Sequence, residues 1–169
     1  MSVLITNDDS LAVPLADSEI EAICAHVLAA EGVADTVEVS FSWIGDDEMR
    51  ALNAEWRGID APTDVLSFPI DDPFAEEELP GMPLELGDIL IDPLQIARQA
   101  PEFDNDDATE CRLMLVHGLL HLLGYDHLED EEAREMEARE EELLRELARM
   151  RGDDPDTVRI GPTTRHTQD

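Results

Sequence analysis

Residues 116–130 read VHGLLHLLGYDHLED, and three of the chain's five histidines fall inside this stretch. It closes the most apolar segment of the sequence, 107–123, where Leu113, Met114, Val116, Leu119, Leu120 and Leu122 leave no polar face. A helix that is apolar all round is normally central to its domain, so the other elements are expected to pack about this one. His117 and His121 are four residues apart, which sets them one above the other on the same helical face. Gly124 tolerates the left-handed turn that ends such a helix. The chain then doubles back over Tyr125 and Asp126, and His127 can swing towards the first two.

The spacing is H-x3-H-x2-G-x2-H, the one with which metzincin proteases hold zinc. The physical demand is three neutral ring nitrogens about 2.0–2.1 Å from one Zn²⁺, with a fourth position open. Metzincins place the Glu that serves as general base directly after the first His. Here that residue is Gly118. A peptidase therefore lacks its proton acceptor, while a three-His centre able to lower the pKa of a bound water to around 7 remains. The structural alternative is a buried polar cluster, but burying three unpartnered imidazoles costs free energy that folding alone does not require. His26, alone on an exposed face, and His166 near the C-terminus are not expected to be ligands.

Working outward, residues 3–7 suit a short strand. A helix is expected from about Asp17, with Ser18 and Glu21 as a capping box and Ile20, Ile23, Cys24, Val27 and Leu28 as its stripe, closing at Gly32. Val37, Val39, Phe41 and Trp43 alternate in a half-buried strand over 37–44. Residues 45–58 read as a helix with Met49, Leu52 and Trp56 on one side. Strands follow at 62–70 and 86–92, separated by an acidic, Pro-rich loop at 71–83. Pro93 suits the first turn of a short helix running to about Ala100. Glu129 to Met150 is amphipathic, with Met136, Leu143, Leu144, Leu147 and Met150 as its stripe. From Gly152 periodicity is lost. The expected fold is α+β, of α/β type: one domain over 1–151, a mixed sheet of about four strands packed with about five helices, and the metal site at the end of the central helix. Residues 152–169 are expected to be a disordered tail.

Eleven Lys and Arg against 42 Asp and Glu leave a net charge of −31, and all the cations but histidine are Arg. A field of that sign repels nucleic acid at long range. It also suits life in high salt, where the Debye length shrinks to about 3 Å at 1 M. The acids concentrate at 71–78, 104–107 and 129–142, which read as loops and one exposed helical face. Cys24 and Cys111 both fall on apolar stripes and are expected to be buried, reduced thiols. No apolar run is long enough to span a membrane, and the first ten residues do not resemble a secretory signal.

The segment HGLLHLLGYDH (117–127) strongly resembles the signature of the YbeY family of bacterial rRNA-maturation endoribonucleases. LNAEWRGIDAPTDVLSFP (52–69) resembles that family's other hallmark block, LGDILID (86–92) its Gly-Asp strand, and EDEEAREMEAREEELL (129–144) its acidic helix. The resemblance covers about residues 1–150. It implies a cytoplasmic, single-strand-specific metallo-endoribonuclease acting in 16S rRNA 3′-end maturation and 70S ribosome quality control. RNA and the ribosome would be its partners, with no role for DNA or membrane. It implies Zn²⁺ on His117, His121 and His127, with Ni²⁺ or another transition metal equally suited to three imidazoles. It implies a catalytic Arg at Arg57, whose guanidinium can clamp a phosphate; on the residues alone, a surface ion pair is the alternative. Asn53 could line the same cleft or be a solvated helix residue. Val65, Leu66 and Phe68 read as core, and Thr63, Asp64 and Ser67 as turn-shaping. Asp88 could orient a ligating His or cap a strand. Arg50, Arg57, Arg98 and Arg112 could form a basic cleft that overcomes the global charge. Rival readings are a hydrolase of peptides or small molecules, and a non-catalytic ribosome assembly factor with a structural metal. The long acidic segment at 71–83 and the C-terminal extension depart from the family pattern.

Overall fold

The computed structural model describes residues 1–33, 36–75, 83–158 and 160. Four strands form one sheet in the order β1-β2-β4-β3, from β1 (Ser2–Thr6), β2 (Val37–Trp43), β3 (Val65–Pro69) and β4 (Leu84–Ile91). The pairs β1–β2 and β2–β4 are parallel, and β3 runs antiparallel to β4 on the edge. The helices are α1 (Asp17–Ala30), α2 (Asp46–Arg57), α3 (Pro93–Gln99), α4 (Asp107–Leu122) and α5 (Asp130–Arg151). The chain is thus the mixed four-stranded, five-helix α+β domain expected. No described helix is long and apolar enough to cross a membrane.

The parallel pairs force crossovers, and these put helices on both faces of the sheet. On one face α1, α4 and α5 join the sheet in the main core, built on Ile20, Phe41, Ile89, Leu115, Leu119 and Leu143. On the other, Met49 of α2 packs with Ile44 and Leu66, and with the half-buried Leu52, Phe68 and Leu90. Helix α4 is central: eleven of its 16 residues are buried. One of these is Glu110, whose two oxygens accept from Gln99 Nε2 (2.7 Å) and Asn105 Nδ2 (2.9 Å). The same Gln99 amide reaches Asp64 Oδ2 at 2.9 Å, so α3, α4 and the start of β3 share one buried polar junction. Cys24 and Cys111 are free and buried, and burial pushes the Cys24 thiol up to about 12.

Several details differ from expectation. Helix α1 starts at Ala16 as N-cap, with no side-chain cap, so Ser18 and Glu21 form no capping box. Trp56 sits on the expected stripe of α2 yet is 62% exposed, because β3 is an edge strand and offers only Phe68, edge-on at 5.6 Å. Met150 is likewise exposed, at the end of α5 beyond the reach of α4. Past Gly152 the chain is not featureless: Pro155–Thr157 forms a single 3₁₀ turn, and Val158 and Ile160 pack on the main core. Residues 161–169, with His166, and residues 76–82 of the acidic 71–83 segment lie outside the described residues.

Candidate metal centre

Helix α4 delivers His117 and His121 at its C-terminal end, and its termination delivers His127. Gly124 takes φ +100°. Its N–H donates to the His121 carbonyl at 3.1 Å, and the Tyr125 N–H donates to the Leu120 carbonyl at 3.0 Å. This pair of bonds satisfies the last carbonyls of the helix and turns the chain back on itself. The three imidazoles gather there, with ring centroids 4.5, 5.0 and 5.5 Å apart. One nitrogen from each lies within 4.8 Å of the other two. The three histidines therefore form a group that can hold a metal ion.

The outer nitrogens fix the rings. The His121 Nδ1–H donates to the Tyr125 carbonyl at 2.9 Å, and a carbonyl can only accept, so that proton is on Nδ1. The Nδ1 of His117 sits 2.7 Å from Glu140 Oε1, with both side chains fully buried. An ionised carboxylate also only accepts, so this contact puts a proton on His117 Nδ1. In the neutral, ligating form of both rings the two Nε2 atoms present bare lone pairs to each other, 3.0 Å apart. Two bare lone pairs at that separation repel unless a cation lies between them. The separation is close to the roughly 3.3 Å edge of a tetrahedron with Zn–N bonds of about 2.0–2.1 Å. The donor set thus fits a transition ion. Burial first, then the neighbouring His117 and His127, pull the pKa of His121 down to about 4, so it is neutral and ready to ligate at pH 7.

Beside the histidines lies a cleft of about 330 Å³, walled by β3 through Val65, Leu66, Ser67 and Pro69 and by the turn through Gly124, Tyr125 and Asp126. Arg57, at the end of α2, also lines it, and makes no hydrogen bond or ion pair among the described residues. The other arginines of the supposed basic cleft do not converge. Arg50 pairs with Asp60 at 2.7 Å, Arg98 with Asp46 at 2.7 Å, and Arg112 with Glu19 at 2.9 Å, all away from this cleft. Each found an acid on its own surface first. Asn53 neither lines the cleft nor meets solvent. It is buried, and its Nδ2 donates to the Ala61 carbonyl at 2.8 Å, tying down the loop after Arg57. Asp88 cannot orient a histidine, because it alternates with Gly87 and Ile89 and so points to the α2 face of the sheet. His26 pairs with Glu146 at 2.9 Å, far along α5.

Gly118 has a packing reason. A Cβ there would lie 3.1 Å from Ser67 Oγ and 3.4 Å from methyls of Val65 and Ile89, so its absence lets α4 close onto β3 and β4. That approach also lets Ser67 Oγ–H reach the Gly118 carbonyl at 3.3 Å, placing the hydroxyl in the cleft rather than in a turn. The residue that sequence reasoning missed is Glu140. Its signal was available: it falls four residues after Met136 and four before Leu144, an acid set into the apolar stripe of α5.

Comparison with known proteins agrees with this geometry. The family model for "Endoribonuclease YbeY" matches residues 4–148. A protein of that name from Exiguobacterium is 38% identical over 155 residues, covering 88% of this chain and 98% of its own length. One from Chloroflexus aurantiacus is 46% identical over 132 residues, covering 76% and 86%. One from Chromohalobacter salexigens is 44% identical over 132 residues, covering 78% and 82%. The solution structure of TM1509 from Thermotoga maritima superposes with a TM-score of 0.56 at 28% identity, covering 95% of this chain and 99% of that one. With nearly its whole length matched in sequence and in fold, the chain belongs to the YbeY endoribonuclease family.

Proposed function

We propose that the three-His cleft hydrolyses phosphodiester bonds of single-stranded RNA, with zinc as its resident ion. Its substrate would be rRNA, processed in the cytoplasm at the 3′ end of 16S rRNA and in quality control of 70S ribosomes, with Arg57 as the catalytic arginine. The endoribonuclease names of the relatives support the activity. The observation that carries the reading is the pair of Nε2 atoms 3.0 Å apart, opening onto the same cleft as an arginine with no partner among the described residues.

Three protein ligands rather than four would suit a catalytic zinc site more than a structural one. A divalent ion held there would supply Lewis-acid polarisation of a phosphoryl oxygen and a lowered pKa for an attacking water. The chain's own residues do the rest. Glu140 and the Tyr125 carbonyl hold His117 and His121 in their ligating tautomers. Arg57, lining the cleft, meets the charge that develops on the phosphate, and a positioned cation of this kind stabilises a transition state more than solvent does. Val65, Leu66 and Pro69 make part of the β3 wall beside the reacting phosphate apolar.

The test pairs elemental analysis of the purified protein with cleavage of a single-stranded RNA, with and without chelator. Cleavage that chelator abolishes and zinc restores is expected. Arg57→Ala should lose cleavage and keep its metal. Full activity in that variant would remove Arg57 from the reaction, and casein digestion by the metal-loaded protein would turn the assignment towards a peptidase.

A further inference from the structure

The metal cleft continues into two neighbouring grooves, which meet at Gly124. One is lined by Pro69, Ile70, Asp71, Asp72, Phe74 and His121 among others, and shares Pro69, His121 and Gly124 with the metal cleft. The other runs past Leu128 and carries Glu129, Glu132 and Glu135 beyond the shared Asp126. Each groove offers a path out of the cleft to a strand of RNA whose phosphate sits at the histidines.

The two differ in chemistry. The Leu128 side presents four carboxylates, and its one ring, Tyr125, is half-buried against the core with its hydroxyl donating to Glu31 Oε2 at 3.0 Å. The Phe74 side presents two carboxylates, each with an oxygen committed to the backbone: Asp71 Oδ2 accepts from the Glu85 N–H at 3.0 Å, and Asp72 Oδ1 from the Phe74 N–H at 2.9 Å. It also presents Phe74, 57% exposed, next to the exposed Ile70. The chain has only seven aromatic residues, and Phe74 and Trp56 are the two whose rings lie open to solvent. An open ring costs solubility that this surface otherwise protects with charge. It stands beside the metal cleft, where Arg57 is the only arginine in the lining.

Resting on the nuclease reading above, we infer that the Phe74 groove is a nucleobase subsite. The base of the nucleotide next to the scissile phosphate stacks on the Phe74 ring against Ile70 and Pro69, and the strand leaves by this side. A base suits the groove better than a phosphate does, since it is uncharged, has two π faces, and can donate N–H groups to the unbonded oxygens of Asp71 and Asp72. Stacking of this kind tolerates any base and contributes enough per base for an alanine substitution to cost on the order of tenfold in affinity.

The test uses the zinc-loaded full chain and a fluorescently labelled single-stranded oligoribonucleotide, in which one abasic nucleotide is moved position by position. Binding is read by anisotropy on strands shown by gel to be intact, and cleavage is read separately. Phe74→Ala should weaken binding and raise KM about tenfold, with kcat within about twofold, and Phe74→Trp should restore both. In the wild type one abasic position should cost a similar factor, and in Phe74→Ala that same position should cost nothing further. Unchanged binding and KM in Phe74→Ala, or abasic costs identical in the two proteins at every position, would overturn the subsite. A wild type that binds with this pattern but never cleaves keeps the subsite and removes the nuclease. One that cleaves while Phe74→Ala binds as tightly keeps the nuclease alone.

Discussion

Glu140 is the residue on which the centre's geometry turns. Its carboxylate is fully buried and sits 2.7 Å from His117 Nδ1. A carboxylate behind a ligating imidazole fixes the tautomer and raises the basicity of the far nitrogen, and loss of such a partner typically costs 10–100-fold in metal affinity. Glu140→Ala is therefore expected to lower zinc affinity by about that factor in competition with a chromophoric chelator. Glu140→Gln, whose amide oxygen can still accept the same proton, should lose less. Equal affinity in wild type and Glu140→Ala would show that His117 is held by its helix alone. Single residues also show where sequence reading works. The trio His117, His121 and His127 was legible because helical period and a Gly turn fix where side chains go within one short segment. Glu140 comes from another helix, and Arg57 from the far end of α2, so only the packing of distant elements brings them to the same place. The misplaced Asp88 illustrates the converse: a one-residue offset on β4 sends a side chain to the opposite face of the sheet.

At the scale of elements, type and order were legible and edges were not. Apolar periodicity names a helix or strand, but termini depend on which backbone groups find partners. α1 begins at a residue with no capping side chain, while α3 begins at a cap the strand pattern concealed. That cap is Asp92, where β4 hands over to α3. Its Oδ1 accepts from the N–H groups of Leu94 and Gln95 at 3.0 and 3.3 Å, directly before Pro93 fixes the first turn. The side chain is wholly buried and has a second carboxylate, Asp46, against it. Burial first, and then Asp46, push the Asp92 carboxyl up to about 7 from an ordinary 3.8. The Arg98 guanidinium holds Asp46 down at about 2. A pKa raised by folding means that folding favours the protonated form. The stability it contributes is present in full below pH 4 and is lost as pH rises through 7. Asp92→Asn keeps the cap oxygen and cannot ionise. The difference in melting temperature between the variant and the wild type should therefore grow in the variant's favour from pH 5 to pH 8. A difference that stays constant over that range would show that Asp92 is ionised throughout. Asp92→Ala removes the cap as well and should lie about 0.5–2 kcal/mol below Asp92→Asn at every pH in that range.

The whole molecule carries its charge in a way the composition alone obscured. A net of −31 suggests either no nucleic acid partner or a basic cleft that local arginines build against the field. The structure has neither arrangement of cations: Arg50, Arg98 and Arg112 are neutralised by Asp60, Asp46 and Glu19, and the metal cleft is left with Arg57. Fold class could be read from the order of elements and from one apolar helix, because burial patterns survive any surface. The charge map could not, because a surface arginine pairs with whichever acid the fold sets beside it. This layout has a measurable consequence. Affinity for a single strand falls with salt by a log–log slope of about −0.7 for each phosphate neutralised. Four convergent arginines would give a slope near −2.8, and a tenfold rise in salt would weaken binding by a factor of about 600. With Arg57 alone the slope is about −0.7 and the loss about fivefold. Screening of the protein's own negative field, whose reach falls from about 10 Å at 0.1 M salt to about 3 Å at 1 M, pushes the slope still closer to zero. Anisotropy titrations of a labelled oligoribonucleotide across that salt range should therefore show affinity nearly flat, carried by stacking and by the metal rather than by counterion release. A slope as steep as −3 would mean that the arginines rearrange to meet the strand, and that the ion pairs seen here open on binding.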